Sequence, residues 1–200
     1  MKYEIFFDGA CHNVPEDPNP IMGIGMAVFA DGRYCPDFSE AENYRHHIIR
    51  GTNNIAEWRG AVIAMRFASQ LKQHITLDEQ IIVYSDSQII AEQFNGRYQI
   101  KDDNFKEFYE QAKEFAKIAG VERIEWIPRE RNRYADVLSK IGRKYLKVNE
   151  IKGLIEIDEH TVATKRSSKS VLKAYRFVEE TEFAADSRLL LKGTIINYEL

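Results

Sequence analysis

The sequence lacks several features that would narrow its class at once. It has two cysteines in 200 residues, Cys11 and Cys35, too few for a disulfide framework and without the C-x-x-C spacing of a metal knuckle. Both read as ordinary reduced thiols. No apolar run approaches the roughly 18 residues that a membrane span needs, so no membrane is expected among its partners. The first strand pattern is not preceded by a basic segment and an apolar leader, and a cytoplasmic location is the expectation. Charge of one sign is also missing: 30% of residues are charged, yet the net charge is −3. Bulk electrostatics therefore do not announce a nucleic-acid binder, and any polyanion must be gripped locally. What is present is a 44% hydrophobic content, enough for a real core and inconsistent with a disordered or collagen-like chain.

The run from Lys2 to Asp8 has strand propensity and is broken by a loop carrying Pro15, Pro18 and Pro20. Met22 to Ala30 reads as a second strand, Asp31-Gly32 as a turn, and Tyr44 to Ile49 as a third strand. This opening unit is an antiparallel meander. After Gly51 the period changes: Ala56, Gly60, Ile63, Phe67 and Leu71 recur at helical spacing, with Thr52-Asn53-Asn54 supplying capping side chains. Gln80 to Tyr84 suits a buried parallel strand, and Ser85-Asp86-Ser87 leads into a short helix ended by Gly96. A second amphipathic helix runs from about Asp103 to Ala119, and Val121 to Ile127 is the last strand of the core. Pro128 ends it, and Asn132 is expected to cap a final helix bearing Ala135, Leu138, Ile141 and Tyr145. The order predicts an α/β fold: a mixed five-stranded sheet, three antiparallel strands then two parallel, flanked by helices.

From residue 147 onward the pattern alters to short β-prone runs between polar stretches. Residues 1–146 read as one domain and 147–200 as a small strand-rich appendage, possessing 9 Lys/Arg and 9 Asp/Glu. Within it Lys165, Arg166, Lys169, Lys173 and Arg176 fall in a stretch without acids, which makes them candidate nucleic-acid contacts. A solvated β surface is the competing reading and is slightly favoured.

Four acids organise the functional reading. Asp8 ends the first strand, and Asp86 lies just past the strand expected to pair parallel to it, where ligands collect in open sheets. Glu57 and Asp136 lie in the first turns of helices that reach the same end of the sheet. Taken singly, Glu57, Asp86 and Asp136 are each better explained as acids favoured at helix beginnings. Asp8, followed by Gly9, has no cap to serve, although a turn role remains open. Taken together, converging carboxylates repel one another unless a cation compensates. Oxygen ligands favour Mg2+ or Mn2+, and two such ions about 3.5–4 Å apart activate water and stabilise a leaving oxygen at a phosphodiester.

The segments Phe7-Asp8-Gly9-Ala10, Thr52-Asn53-Asn54-Ile55-Ala56-Glu57, Tyr84-Ser85-Asp86-Ser87 and Asn132-Arg133-Tyr134-Ala135-Asp136-Val137-Leu138 resemble the four signature blocks of the type 1 ribonuclease H family, over about residues 1–146. The resemblance implies the ribonuclease H-like fold and an RNA/DNA hybrid substrate. It further implies internal cleavage of the RNA strand to 5′-phosphate and 3′-hydroxyl ends, with two divalent cations, Mg2+ or Mn2+. It makes Asp8, Glu57, Asp86 and Asp136 both catalytic and metal-binding: Asp8 bridges both ions, Glu57 and Asp86 complete the site near the leaving oxygen, and Asp136 holds the ion that activates water. Thr52, Asn53 and Asn54 become the substrate-binding candidates, Thr52 toward a DNA phosphate and Asn53 toward the minor groove. Helix capping remains an equal explanation for these.

Two features depart from the family pattern. Many members place a His in the loop before the last helix, whereas this chain has Pro128-Arg129-Glu130-Arg131 there; arginine cannot act as acid or base at neutral pH. His12, His46 and His47 are read as surface or core residues without a catalytic role. A basic protruding helix is also missing, since Gln99 to Ala119 carries Asp102, Asp103, Glu107, Glu110 and Glu114. The alternatives are a non-catalytic nucleic-acid-binding module on the same fold, and a related exonuclease or resolvase. The exonuclease is disfavoured because Asp8 is followed by Gly9-Ala10 and not by an Asp-x-Glu pair.

Overall fold

A computed structural model of the chain describes residues 1–11, 17, 20–45 and 50–143, together with the backbone of four strand segments, 156–157, 175–176, 188–191 and 194–197. Strand β1 (Lys2–Cys11) alternates: Ile5 and Phe7 are fully buried, while Glu4, Phe6 and Asp8 face the other side. It pairs antiparallel with β2 (Met22–Ala30), Asp8 opposite Gly25. The Asp31-Gly32 turn, with both residues at positive φ (48° and 76°), returns the chain into β3 (Arg33–Tyr34), as tight hairpin turns require.

The third long strand differs from expectation. It is β4 (Ser39–Tyr44), paired with β2 from Met22↔Tyr44 to Met26↔Glu40, and not Tyr44–Ile49. The acids Glu40 and Glu42 argue against a strand by composition. Glu42 is nevertheless only 5% exposed, because Arg59 of the next helix meets its carboxylate at 2.9 Å. Residues 46–49, with His46 and His47, and residue His12 lie outside the described residues.

Helix α1 (Asn53–Lys72) begins at Thr52, whose hydroxyl accepts from the Ile55 amide. Strand β5 (Gln80–Ser85) lies parallel to β1 and leads into the short α2 (Gln88–Phe94). Helix α3 (Lys106–Ala119) ends on Gly120 in the left-handed conformation, and β6 (Ile124–Trp126), shorter than the sequence suggests, pairs parallel with β5. A 3-10 turn at Arg129–Arg131 precedes α4 (Arg133–Arg143). The central strand order β6-β5-β1-β2-β4 is the predicted mixed five-stranded sheet. Helices α1 and α3 cover one face and α4 the other. C-terminal backbone adds β7 (Glu156–Ile157) paired with β8 (Tyr175–Arg176), and β9 (Arg188–Leu191) with β10 (Thr194–Asn197), the last lying parallel to β4. Among the described residues no helix is long and apolar enough to cross a membrane.

Two glycines set how closely the helices reach the end of the sheet. A Cβ at Gly9 would lie 2.1 Å from the Ala56 carbonyl carbon of α1, and one at Gly25 would lie 2.2 Å from the Ala135 oxygen of α4. Only a residue without a side chain permits these approaches. They bring the first turns of α1 and α4 to opposite faces of the β1 C-terminal end.

Candidate active site

The parallel register Phe7↔Ser85 sets Asp8 and Asp86 one residue further along neighbouring strands. Glu57 enters from α1 and Asp136 from α4, and all four acids line one cavity of about 350 Å³ with Asn53, Arg129 and Lys140. Each acid has a donor of its own. The Ser139 hydroxyl donates to Asp8 Oδ2, and Ser87 Oγ donates to Glu57 Oε2 at 2.6 Å. Asn132 Nδ2 donates to Asp86 Oδ1 at 2.5 Å and to the Phe7 carbonyl at 2.9 Å. Asp136 accepts from Arg129 Nη2 at 2.9 Å and from the Lys140 ammonium. Capping does not explain these acids: Thr52 caps α1, and the Asp136 oxygens are taken by Arg129 and Lys140.

The electrostatics record the crowding. Burial, then the nearby carboxylates of Asp86, Asp136 and Glu57, push the Asp8 carboxyl up to about 7 against the opposing Ser139 hydrogen bond. Burial raises Glu57 as well, opposed by Ser87 and assisted by Asp86. Asp86 is raised by burial and by Asp136, with Asn132 and Arg129 working in the other direction. Desolvated carboxylates that favour protonation are sites a cation can compensate.

The donor set fits a hard divalent cation, because four carboxylates dominate the polar lining of the cavity, with the buried Cys11 its one sulfur. As the side chains stand, no three His, Cys, Asp or Glu among the described residues close on one point tightly enough to hold an ion. The side-chain donors to Asp8, Glu57 and Asp86 each occupy one carboxylate oxygen, whereas both oxygens of Asp136 are taken, by Arg129 and Lys140.

The Reverse transcriptase-like family profile matches residues 44–142. The N-terminal ribonuclease H domain of Rv2228c from Mycobacterium tuberculosis, solved as a fusion with maltose-binding protein, superposes with a TM-score of 0.56 at 28% identity, over 71% of this chain and 93% of that one. The chain has the ribonuclease H-like fold and is similar in sequence to type 1 ribonuclease H. A family member from Halobacterium salinarum shares the fold with a TM-score of 0.58 at 22% identity, covering 71% of this chain and 97% of that one. The bifunctional protein Rv2228c of Mycobacterium tuberculosis is 36% identical over 141 residues, 70% of this chain and 35% of its own length. The chain thus spans about a third of the length of the curated relatives it matches.

Of the substrate-binding candidates, Thr52 is the α1 cap, Asn53 Oδ1 accepts from the Cys11 amide at 2.8 Å, and Asn54 is exposed. All three stand at the mouth of α1. Lys165, Arg166, Lys169 and Lys173 lie outside the described residues, and Arg176 is described only as backbone of β8. One expectation is corrected: Asn132 precedes α4 and its carbonyl accepts from Asp136 N, but its side chain does not cap the helix. Its amide is spent tying β1 to Asp86 instead. Sequence reading also passed over Ser87, Ser139 and Lys140, whose only prior signal was their position one to four residues from a candidate acid.

Proposed function

We infer that the chain is an endoribonuclease that hydrolyses the RNA strand of RNA/DNA hybrids, leaving 5′-phosphate and 3′-hydroxyl ends. The observation that carries this reading is the set of four carboxylates around one cavity, with Asp8 pushed up to about 7 by burial and its acidic neighbours. Asp8, Glu57, Asp86 and Asp136 would hold two divalent cations, Mg2+ or Mn2+, which when bound supply an activated water and charge stabilisation at the leaving oxygen. Asp8, on which all three other acids act, would serve both ions, with Glu57 and Asp86 holding the one near the leaving oxygen and Asp136 the one that supplies the activated water. Ser87, Asn132 and Ser139 keep the carboxylates in place. Arg129, with its charge always present, neutralises Asp136 and presents a cation to a phosphate. Thr52, Asn53 and Asn54 at the start of α1 would contact the hybrid, whose 2′-hydroxyls in a shallow minor groove distinguish RNA from DNA. A family structure was solved with an RNA/DNA hybrid bound, which supports this substrate class. Residues 1–146 would form the catalytic unit, with 147–200 an appendage.

A second reading, a nucleic-acid-binding module without turnover, is favoured by one observation: every acid already has a donor, and no three close on one point among the described residues. One panel separates the two. End-labelled hybrid, RNA duplex, DNA duplex and single strands are incubated with Mg2+, Mn2+ or EDTA. The hydrolase reading expects internal cuts in the hybrid RNA alone, abolished by EDTA and with phosphatase-sensitive 5′ ends on the downstream products. Binding of hybrid without cleavage under either metal supports the module.

A further inference from the structure

A second cavity lies beside the candidate active site on the α4 face. It measures about 370 Å³ and is bounded by Phe6, Phe29 and Tyr134 together with Glu130, Arg131 and Arg133. Its aromatic lining is Phe6, Phe29 and Tyr134, and Tyr84, outside the lining, stacks on Phe6 at 4.8 Å between centroids and 20° between planes. Phe29 meets Phe6 edge-on at 5.4 Å, and Tyr134 meets Phe29 edge-on at 5.1 Å. In a sealed satellite core such rings would be buried, yet all four remain only half-buried. The lining carries two acids, Glu4 and Glu130, against two guanidinium groups, Arg131 and Arg133, and the pairing of one acid leaves the basic groups in excess. Glu4 is held by Lys2 at 2.7 Å, whereas the exposed Arg131 makes no side-chain hydrogen bond or ion pair among the described residues. Among the described residues the Arg133 side chain donates to a neutral partner, the Glu130 carbonyl at 2.8 Å, and to no carboxylate.

The two cavities adjoin. The 3-10 turn Arg129–Arg131 is the ridge between them: Arg129 lines the acidic cavity and Arg131 the aromatic one. Asn132 lines the aromatic cavity and at the same time donates to Asp86. A strand lying across the acids and continuing past the ridge therefore arrives at flat rings flanked by guanidinium groups.

We propose that this aromatic cavity binds an unpaired nucleotide adjoining the duplex in the acidic cleft, its base stacked on the ring of Tyr134 with Phe29, edge-on to that ring, and Phe6 beside it, and its phosphate held by Arg131 and Arg133. A base inside a duplex has both faces covered and an end pair exposes one face across two joined bases, whereas a single unpaired base can leave the stack and enter a cavity of this size. The cavity holds one or two bases and is too small for a helix of any kind. The inference rests on the reading of the cleft as a nucleic-acid site and assigns it a further subsite with a preference for junctions between duplex and single strand.

The test measures affinity in EDTA, so that nothing is cut, for a blunt hybrid and for the same hybrid with four unpaired nucleotides on either end of either strand. At least one overhang is expected to bind the parent roughly tenfold tighter than the blunt duplex, the increment of one stacked base. The ratio of overhang to blunt affinity should fall close to one in Tyr134→Leu and by about threefold in Arg131→Gln, an exposed substitution without consequence for folding. A ratio of one in the parent for every overhang, or an undiminished ratio in Tyr134→Leu, overturns the subsite. A single-stranded tetranucleotide tests it without any duplex: equal binding by the parent and Tyr134→Leu also overturns it. Failure of the parent to cut blunt hybrid with metal present would count against the hydrolase reading alone.

Discussion

At the scale of single residues the acids and their donors divide the labour, and Asp8 carries the sharpest consequence. Without a cation its carboxyl holds a proton to about pH 7 in the folded chain, whereas the unfolded chain releases it near pH 4. Between these values the folded state binds more protons, so this group makes stability fall as pH rises from about 4 to 7. Urea unfolding in EDTA should therefore show the parent less stable at pH 8 than at pH 5. Asp8→Asn should flatten that slope and gain no more than about 4 kcal/mol at pH 8, at 1.36 kcal/mol per pKa unit. An unchanged slope in Asp8→Asn would show that the carboxylates are not crowded. Asn132 supplies the second case. Asn132→Ala leaves the Phe7 carbonyl and Asp86 without their donor, which should cost about 1–3 kcal/mol in denaturant unfolding and lower hybrid cleavage by at least about tenfold, since an unheld Asp86 is no longer aimed. The proximity of the four acids was legible in the sequence only for the set, from the sheet end that their elements share, because an acid at a helix beginning is common and singly says little. Their donors were not: Ser139 meets Asp8 across 131 positions of chain, and a buried amide such as Asn132 takes whichever acceptor the fold brings nearest.

At the scale of elements, the fold was legible wherever period and burial agreed. Helix α1 and strand β2 have the bounds that their apolar spacing implies. Strand β4 was misplaced because its pattern, Ser-Glu-Ala-Glu-Asn-Tyr, puts an acid at a buried position. Only Arg59, from an element later in the chain, makes Glu42 tolerable there. The acids converge because two glycines let helices touch strands. Gly25→Ala would drive a methyl group into the Ala135 carbonyl and the Ser139 amide of α4. It should destabilise the protein by about 1–3 kcal/mol, read as a lowered urea midpoint. Cleavage should fall as well, because Asp136 recedes from Asp8 along with α4. A folded Gly25→Ala protein of full stability would mean that α4 does not sit as closely as described.

At the scale of the whole molecule, every candidate acid lies between residues 8 and 136, and the near-neutral overall charge leaves the grip on a polyanion to local groups. Ending the chain after Leu146 should therefore preserve hybrid cleavage while removing Lys165, Arg166, Lys169, Lys173 and Arg176. If those residues hold phosphates, the truncation should also reduce the dependence of binding on salt, by about 0.9 in log–log slope for each duplex phosphate that is no longer neutralised. Binding titrations at several salt concentrations read this directly, and an unchanged slope would assign the basic stretch to a solvated surface. Truncation also uncovers the edge of β4 where β10 pairs, so the shortened chain should be compared at low concentration, where edge pairing between copies is suppressed.

The central claim is that the four carboxylates act together through divalent cations on the RNA of a hybrid. The most direct measurement is the single-turnover rate of hybrid cleavage at saturating Mn2+, comparing the parent with Asp86→Asn, a substitution that preserves shape and hydrogen bonding while removing one charged ligand. The account predicts metal-dependent internal cuts in the RNA strand by the parent and a rate at least about a hundredfold lower in Asp86→Asn, the scale of losing a group aimed at the transition state. Equal rates in the two proteins, or cleavage by the parent that persists in EDTA, would contradict it.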